Sequence, residues 1–188
     1  GQLCVGVDAH ALLLDQWGLD DDVNGLDYFA NSVIDAASGQ VGIIKPQVSF
    51  FERHGSAGFA VLERITHRAN DAGLVVIADA KRGDIGNTAT RYAEAFFKHM
   101  NFDSITVAPY MGKDSVAPFL EFEGKWAILL ALTSNPGSLD FQLLQDASGK
   151  ALYQTVLEKS QEWGSTDNLM YVVGATRGEL IGEVRKTV

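Results

Sequence analysis

Three charged side chains stand within six residues at the end of an apolar run, and their types and spacing suit proton-transfer chemistry. Asp79, Lys81 and Asp84 follow segment 74–78, which is Leu-Val-Val-Ile-Ala. Strand side chains alternate between faces, so Asp79 and Lys81 are expected to emerge together. An ammonium between two carboxylates stays protonated, stabilises negative charge that develops beside it and can donate a proton. The structural alternative is a salt bridge that closes a strand-to-helix turn, but three charges in six residues favour chemistry.

The composition is that of a globular protein with an acidic surface. The chain has 188 residues, of which 46% are hydrophobic and 10% aromatic, and its net charge is −9. No basic stripe is present to neutralise phosphates, which argues against a nucleic-acid partner. No segment is apolar and long enough to span a membrane, and no signal peptide is recognisable. A single cysteine, Cys4, fits a reducing compartment, so we expect a cytoplasmic protein.

Short apolar runs alternate with segments of helical periodicity, which predicts an α/β fold with a parallel sheet. The runs are rich in Val, Ile and Leu, as expected for strands covered on both faces. They occupy residues 3–7, 41–45, 74–78, 104–108, 126–131 and 169–173. The helical patterns occupy residues 27–38, 57–70, 88–100, 114–121, 150–163 and 177–187.

Polar side chains at the carboxyl ends of most strands favour a (β/α)8 TIM barrel over an open sheet, in which they would gather at one switch point. These side chains are Asp8, Lys45, Asp79, Lys81, Thr133, Ser134, Asn135, Thr176 and Arg177. No Gly-x-Gly-x-x-Gly follows the first strand, which argues against a dinucleotide site. Six β/α units are recognisable where a barrel needs eight. We therefore expect residues 1–188 to form a single, incomplete TIM-barrel domain.

Several motifs resemble the longer bacterial form of orotidine 5′-phosphate decarboxylase. They are Val5-Gly6-Val7-Asp8, Lys45-Pro46-Gln47, Ala78-Asp79-Ala80-Lys81-Arg82-Gly83-Asp84-Ile85-Gly86-Asn87-Thr88, Val107-Ala108-Pro109-Tyr110-Met111-Gly112 and Leu132-Thr133-Ser134-Asn135-Pro136-Gly137-Ser138. The resemblance covers nearly the whole chain in order. It implies a homodimeric carboxy-lyase that converts orotidine 5′-monophosphate to UMP, the last step of pyrimidine synthesis, without cofactor or metal.

The resemblance also implies a role for each matching residue. Lys81 matches the proton donor to C6 of the pyrimidine, Asp79 the carboxylate beside the substrate carboxylate, and Lys45 the lysine that touches the ribose. Thr133 and Ser134 match the loop that contacts the pyrimidine edge.

Two further groups of residues match the ribose site and the subunit interface. Asp8 matches a ribose-hydroxyl contact, and Gln47 stands where Asn is commoner, which affects only a ribose contact. Asp84, Ile85 and Thr88 match residues that the family contributes to the neighbouring subunit's site. The family holds the substrate phosphate after strands seven and eight, and the chain shows no match to those residues. The 188 residues alone are therefore expected to be nearly inactive.

Two alternatives remain open from the sequence. A metal-dependent sugar-phosphate lyase or aldolase on the same scaffold would use the carboxylates of a similar Asp-x-Lys-x-x-Asp pattern to bind Mg²⁺. Lys45 at a strand end could also form a Schiff base. The other alternative is an inactive truncated fragment. The four histidines have no partner at metal-ligand spacing, so surface or capping roles are expected for them.

Overall fold

The computed structural model describes residues 3–188, which divide into two compact units. The first unit comprises the described residues of Gly1–Ala80 together with Ala93–Ile105. The second unit comprises Lys81–Tyr92 and Thr106–Val188. The boundaries between the units fall within two strands, Val75–Arg82 and Ser104–Val107, so each of these strands is divided between the two units.

Parallel strands form the centre of the first unit. They are β1 (Cys4–Val7), β2 (Ile43–Pro46), β3 (Val75–Arg82) as far as Ala80, and the start of β4 (Ser104–Val107). Cys4 pairs with Ile43, and Ile43 pairs with Val75. β4 follows β3 in the sheet, and the Asp103 side chain accepts a hydrogen bond from Val76 N–H at 2.8 Å. The strand order therefore follows the chain order, as in a barrel and unlike a sheet with a switch point.

Helices cover the sheet of the first unit: α1 (Ala11–Gln16), α2 (Val23–Ala37), α3 (Ser49–Glu52), α4 (Gly55–Asp71) and a π-helical turn (Ala95–His99). Asp22 caps α2 by accepting a hydrogen bond from Gly25 N–H at 2.8 Å. Leu26, Phe29 and Ile34 on α2 are buried, with the spacing of one helix face. Burial of this face is what holds α2 against its neighbours.

The second unit continues the same alternation. It contains the ends of β3 and β4, followed by β5 (Trp126–Leu132) and β6 (Leu169–Val173). Its helices are α5 (Gly86–Glu94, as far as Tyr92), α6 (Ala117–Leu120), α7 (Ser138–Phe141), α8 (Leu152–Ser160) and α9 (Ile181–Val184), with 3₁₀ turns at Lys113–Ser115 and Ala175–Leu180. β5 and β6 are parallel, with Ala127 paired with Leu169. Leu132, Tyr153 and Leu157 belong to one buried cluster beside them.

The predicted strands are present, as are the helices predicted over 27–38, 57–70 and 150–163. The segments predicted as helical over 114–121 and 177–187 each form a 3₁₀ turn followed by a four-residue α-helix. β3 runs four residues beyond its predicted end, to Arg82. The helix predicted over 88–100 is an α-helix that passes into a π-helical turn at Ala95. The short helices α1, α3 and α7 were not predicted, because four to six residues carry too little periodicity. None of the helices within residues 3–188 is both long and apolar enough to cross a membrane.

Candidate active site

Lys45, Gln47 and Asp79 form a polar cluster in the first unit, at the carboxyl end of β2 and in the carboxyl-terminal half of β3. The ammonium Nζ of Lys45 lies 3.0 Å from Oδ2 of Asp79, and the Gln47 amide donates a hydrogen bond to the same oxygen at 3.3 Å. The Asp79 side chain is only 11% exposed and that of Lys45 is 31% exposed. Such donors offset part of the cost of burying a carboxylate away from water.

Backbone pairing places these side chains together. Gln47 and Asp79 form a parallel bridge beyond the end of β2, and Val48 N–H donates to the Asp79 carbonyl at 3.2 Å. Gln47 N–H donates to the carbonyl of Val7, the last residue of β1, also at 3.2 Å. The carboxyl ends of β1, β2 and β3 are thereby aligned.

Asp8 directly follows β1 at this aligned edge. Its carboxylate lies over Gly6 of the strand: a Cβ at position 6 would lie only 2.6 Å from Oδ2 of Asp8. Glycine at position 6 therefore leaves room for the Asp8 carboxylate. The structure thus places Asp8, Lys45, Gln47 and Asp79 at the ends of neighbouring strands of one unit.

Lys81 begins the second unit in an unusual backbone conformation. Its φ is +48°, which non-glycine residues seldom adopt, and its N–H donates to the Thr106 hydroxyl at 2.9 Å. Such conformations cost about 1–3 kcal/mol and are concentrated at functional sites. The regular alternation of a strand is interrupted at this residue. Strand alternation alone therefore does not determine the direction of the Lys81 side chain.

The loop after β3 carries the residues matched to the subunit interface. The Asp84 carboxylate accepts a hydrogen bond from Ile85 N–H at 2.8 Å, and Gly86 has a φ of +53° as α5 begins. Ile85 is 50% exposed, and Thr88 on α5 is exposed as well.

The loop after β5 carries Thr133 and Ser134 and is held by a side chain that the sequence did not single out. Gln142, which follows α7, accepts a hydrogen bond from Thr133 N–H at 2.7 Å and donates to the Thr133 hydroxyl at 2.9 Å. The Thr133 hydroxyl also donates to the side-chain oxygen of Asn135. No pattern of spacing connects residues 133 and 142, because the intervening chain folds back through a short helix.

The remaining polar candidates have structural contacts. His10 caps α1 by accepting a hydrogen bond from Leu13 N–H at 3.2 Å. Arg177 donates to the buried Ser138 hydroxyl at 3.4 Å. Within residues 3–188, no group of three or more His, Cys, Asp or Glu side chains is arranged to hold a metal ion.

Parallel strands in chain order, alternating with helices and ending in polar side chains, define the (β/α)8-barrel class of proteins. Two Leishmania donovani structures share the fold. An OMP decarboxylase matches with a TM-score of 0.87 and 37% identity over 98% of this chain and 70% of that one. A UMP synthase matches with a TM-score of 0.88 and 37% identity over 99% of this chain and 40% of that one. These matches confirm the predicted fold class.

The family is shown by the sequence as well. The model of the orotidine 5′-phosphate decarboxylase / HUMPS family matches residues 1–187, and the chain belongs to this family. Orotidine 5′-phosphate decarboxylases of Bacteroides fragilis and Flavobacterium johnsoniae are each 48% identical over 188 residues. In both comparisons the match covers 99% of this chain and 68% of the relative. The chain thus spans about two thirds of the length of these relatives.

Proposed function

We propose that the chain carries the catalytic centre of an orotidine 5′-phosphate decarboxylase, which converts orotidine 5′-monophosphate to UMP and CO₂ in pyrimidine synthesis. The main support for this proposal is the ion pair of Lys45 and Asp79 towards the carboxyl ends of two neighbouring strands, in a chain that belongs to this family. Active sites of (β/α)8 barrels lie at that end of the strands. The single cysteine and the pathway fit the cytoplasm.

Lys81 supplies the proton in the proposed reaction. The bond between C6 and the substrate carboxylate breaks, CO₂ leaves, and the electron pair remains on C6. A fixed ammonium stabilises this negative charge without reorganisation, which is electrostatic preorganisation. Transfer of a proton from Lys81 Nζ to C6 then gives UMP. No external oxidant or reductant is required.

Lys45 and Asp79 carry further charges that the family resemblance assigns to the reaction. The Asp79 carboxylate is held in place by the ammonium of Lys45 and the amide of Gln47, and it is assigned to the position beside the substrate carboxylate. Lys45 and Gln47 are assigned to the ribose together with Asp8. Thr133 and Ser134 are assigned to the pyrimidine edge, and Gln142 braces their loop.

The proposed enzyme is a homodimer. Asp84, Ile85 and Thr88 are assigned to the partner subunit's site, as in the resembling family. Support comes from the exposure of Ile85 and from its place beside Asp84, whose carboxylate fixes the Ile85 backbone. A completed site then requires two copies of the chain.

Replacement of the proton donor tests the proposal. We expect Lys81→Ala and Lys81→Met to lower turnover of orotidine 5′-monophosphate by more than about a thousandfold, the scale of a lost proton donor combined with lost electrostatic stabilisation. The far-ultraviolet circular dichroism and the melting temperature should change little. Lys159→Ala is the matched control, because Lys159 is 63% exposed on α8 and pairs with Glu162, three residues away.

Two protein forms make the assay decisive. The variants are made in the 188-residue chain and in the same chain joined to the final third of the Bacteroides fragilis relative. Turnover of orotidine 5′-monophosphate is measured from the change in absorbance of the pyrimidine. Substantial turnover by folded Lys81→Ala in either form would contradict the assignment. Loss of turnover on treatment with EDTA, restored by Mg²⁺, would favour the metal-dependent lyase instead.

A further inference from the structure

Gln142 contacts the loop after β5 in a way that fixes both its backbone and a side chain. Its amide oxygen accepts from Thr133 N–H at 2.7 Å, and its amide nitrogen donates to the Thr133 hydroxyl at 2.9 Å. The Gln142 carbonyl in turn accepts from Tyr153 N–H at 3.0 Å, which ties it to the buried Tyr153 of α8. The backbone of Gln142 is therefore held by α8, and its side-chain amide binds Thr133.

Gly174 supports the same loop from β6. A Cβ on Gly174 would lie 2.7 Å from the backbone nitrogen of Ser134 and 3.0 Å from its Cα, so the two backbones are in close contact. Gly174 N–H also donates to the Leu132 carbonyl at 2.7 Å. The loop is thus held on one side by Gln142 and on the other by the backbone of Gly174. Such a doubly supported loop presents its polar groups in one fixed arrangement.

We propose that Gln142 is a positioning residue for base recognition. Through its two hydrogen bonds with Thr133, it holds the Thr133–Ser134 backbone in the geometry that contacts the pyrimidine. This inference rests on the proposed function, which assigns those two residues to the base. Gln142 is assigned no contact of its own with the base or the reacting carbon. Loss of its amide therefore weakens the part of ligand binding that depends on the base, and leaves binding of the sugar phosphate unchanged.

Paired ligands isolate that effect. UMP and ribose 5-phosphate carry the same phosphate, so the ratio of their dissociation constants reports the contribution of the base. NMR titration measures both constants in the chain joined to the final third of the Bacteroides fragilis relative, because the family holds the substrate phosphate in that part. We expect Gln142→Leu to raise the dissociation constant for UMP about tenfold, the scale of one or two lost hydrogen bonds. The constant for ribose 5-phosphate should stay within about twofold.

Two variants separate positioning from general stability. Gln142→Glu keeps an oxygen that accepts from Thr133 N–H and should retain part of the preference for UMP. Gln154→Leu is the matched control: Gln154 also caps a backbone N–H, that of Ala151 at 2.9 Å, but belongs to α8. Gln154→Leu should leave the ratio of the two constants unchanged, even where it lowers the melting temperature.

Ser134→Ala distinguishes failure of this inference from failure of the proposed function. If Ser134→Ala removes the preference for UMP while Gln142→Leu keeps it, the positioning role is wrong and the base site stands. If the unsubstituted chain binds UMP and ribose 5-phosphate equally, the assignment of the loop to the pyrimidine is wrong. Equal losses of preference in Gln142→Leu and Gln154→Leu would show a merely structural effect and would also overturn the inference.

Discussion

The ammonium of Lys45 lies 3.0 Å from the carboxylate of Asp79, although 34 residues separate them in the chain. The pairing brings together the carboxyl ends of β2 and β3, and the Gln47 amide shares the same carboxylate oxygen. The Asp79 carboxylate is nearly inaccessible to water, so solvent screens this pair less than an ion pair on the surface. The charge arrangement at the proposed centre is therefore also a structural contact between strands.

The first prediction concerns the stability that this pair provides. Lys45→Met removes the ammonium from a carboxylate with little access to water, and we expect it to lower the free energy of unfolding by about 1.5–3 kcal/mol, the range for hydrogen bonds to charged groups. A double-mutant cycle with Asp79→Asn, measured by urea denaturation, isolates the coupling. The exposed pair of Lys150 and Glu158, at 2.7 Å, is the control and should show much weaker coupling. Equal coupling in the two pairs would contradict the prediction.

The second prediction concerns the close contact between Gly174 and Ser134. Gly174→Ala introduces a Cβ at 2.7 Å from the Ser134 nitrogen, so one of the two backbones must move. We expect a loss of about 1–3 kcal/mol in the free energy of unfolding, as for overpacking, together with weaker binding of UMP. Gly178→Ala is the control, because a Cβ there meets nothing within 4 Å. Thermal denaturation of both variants checks this, and similar melting temperatures would show that the contact is relaxed without cost.

The sequence predicted the strands well because parallel strands are buried on both faces and leave continuous apolar runs. The same runs locate Asp8 and Lys45 at strand ends and Asp79 in the carboxyl-terminal half of β3, and the parallel pairing of Val7 with Pro46 shows why the ends of neighbouring strands lie side by side. The third strand was predicted too short. Its last two residues, Lys81 and Arg82, are charged, and their backbone groups are bound by the Thr106 hydroxyl and by Ala108 N–H, contacts that no local pattern contains.

The residues that hold the loop after β5 could not be predicted from a sequence pattern, for a similar reason. The Gln142 side chain binds Thr133 because the chain between them folds back. Gly174 contributes by having no side chain, which lets its backbone lie close to Ser134. Neither residue type has a spacing that signals such a role. The positive φ of Lys81 is likewise set by its surroundings, since lysine has no intrinsic preference for it.

The third prediction concerns the proposed homodimer. Ile85→Asp places a charge on a residue that is 50% exposed, and we expect the dimer dissociation constant to rise at least about tenfold, because burial of an unpaired carboxylate opposes association. The melting temperature of the dissociated chain should be little affected. Leu12→Asp is the control, since Leu12 is 73% exposed on α1 and has no assigned interface role. Analytical ultracentrifugation measures both, and an unchanged dimer in Ile85→Asp would exclude Ile85 from the interface.

The fourth prediction concerns the pH dependence at Cys4, the single cysteine of the chain. Burial raises the pKa of the Cys4 thiol, and the nearby positive charge of Lys45 opposes this rise. A group whose pKa is higher in the folded state stabilises the fold fully below its unfolded pKa, about 8.5 for cysteine, and loses that contribution as the pH rises through the folded value. Stability is therefore expected to fall in this alkaline range, and Cys4→Ala should remove that part of the fall. Alkylation with iodoacetamide measures the thiolate directly: its pH midpoint should be higher in folded than in urea-unfolded protein, and higher still in Lys45→Met. Coincident midpoints in folded and unfolded protein would contradict the assigned shift.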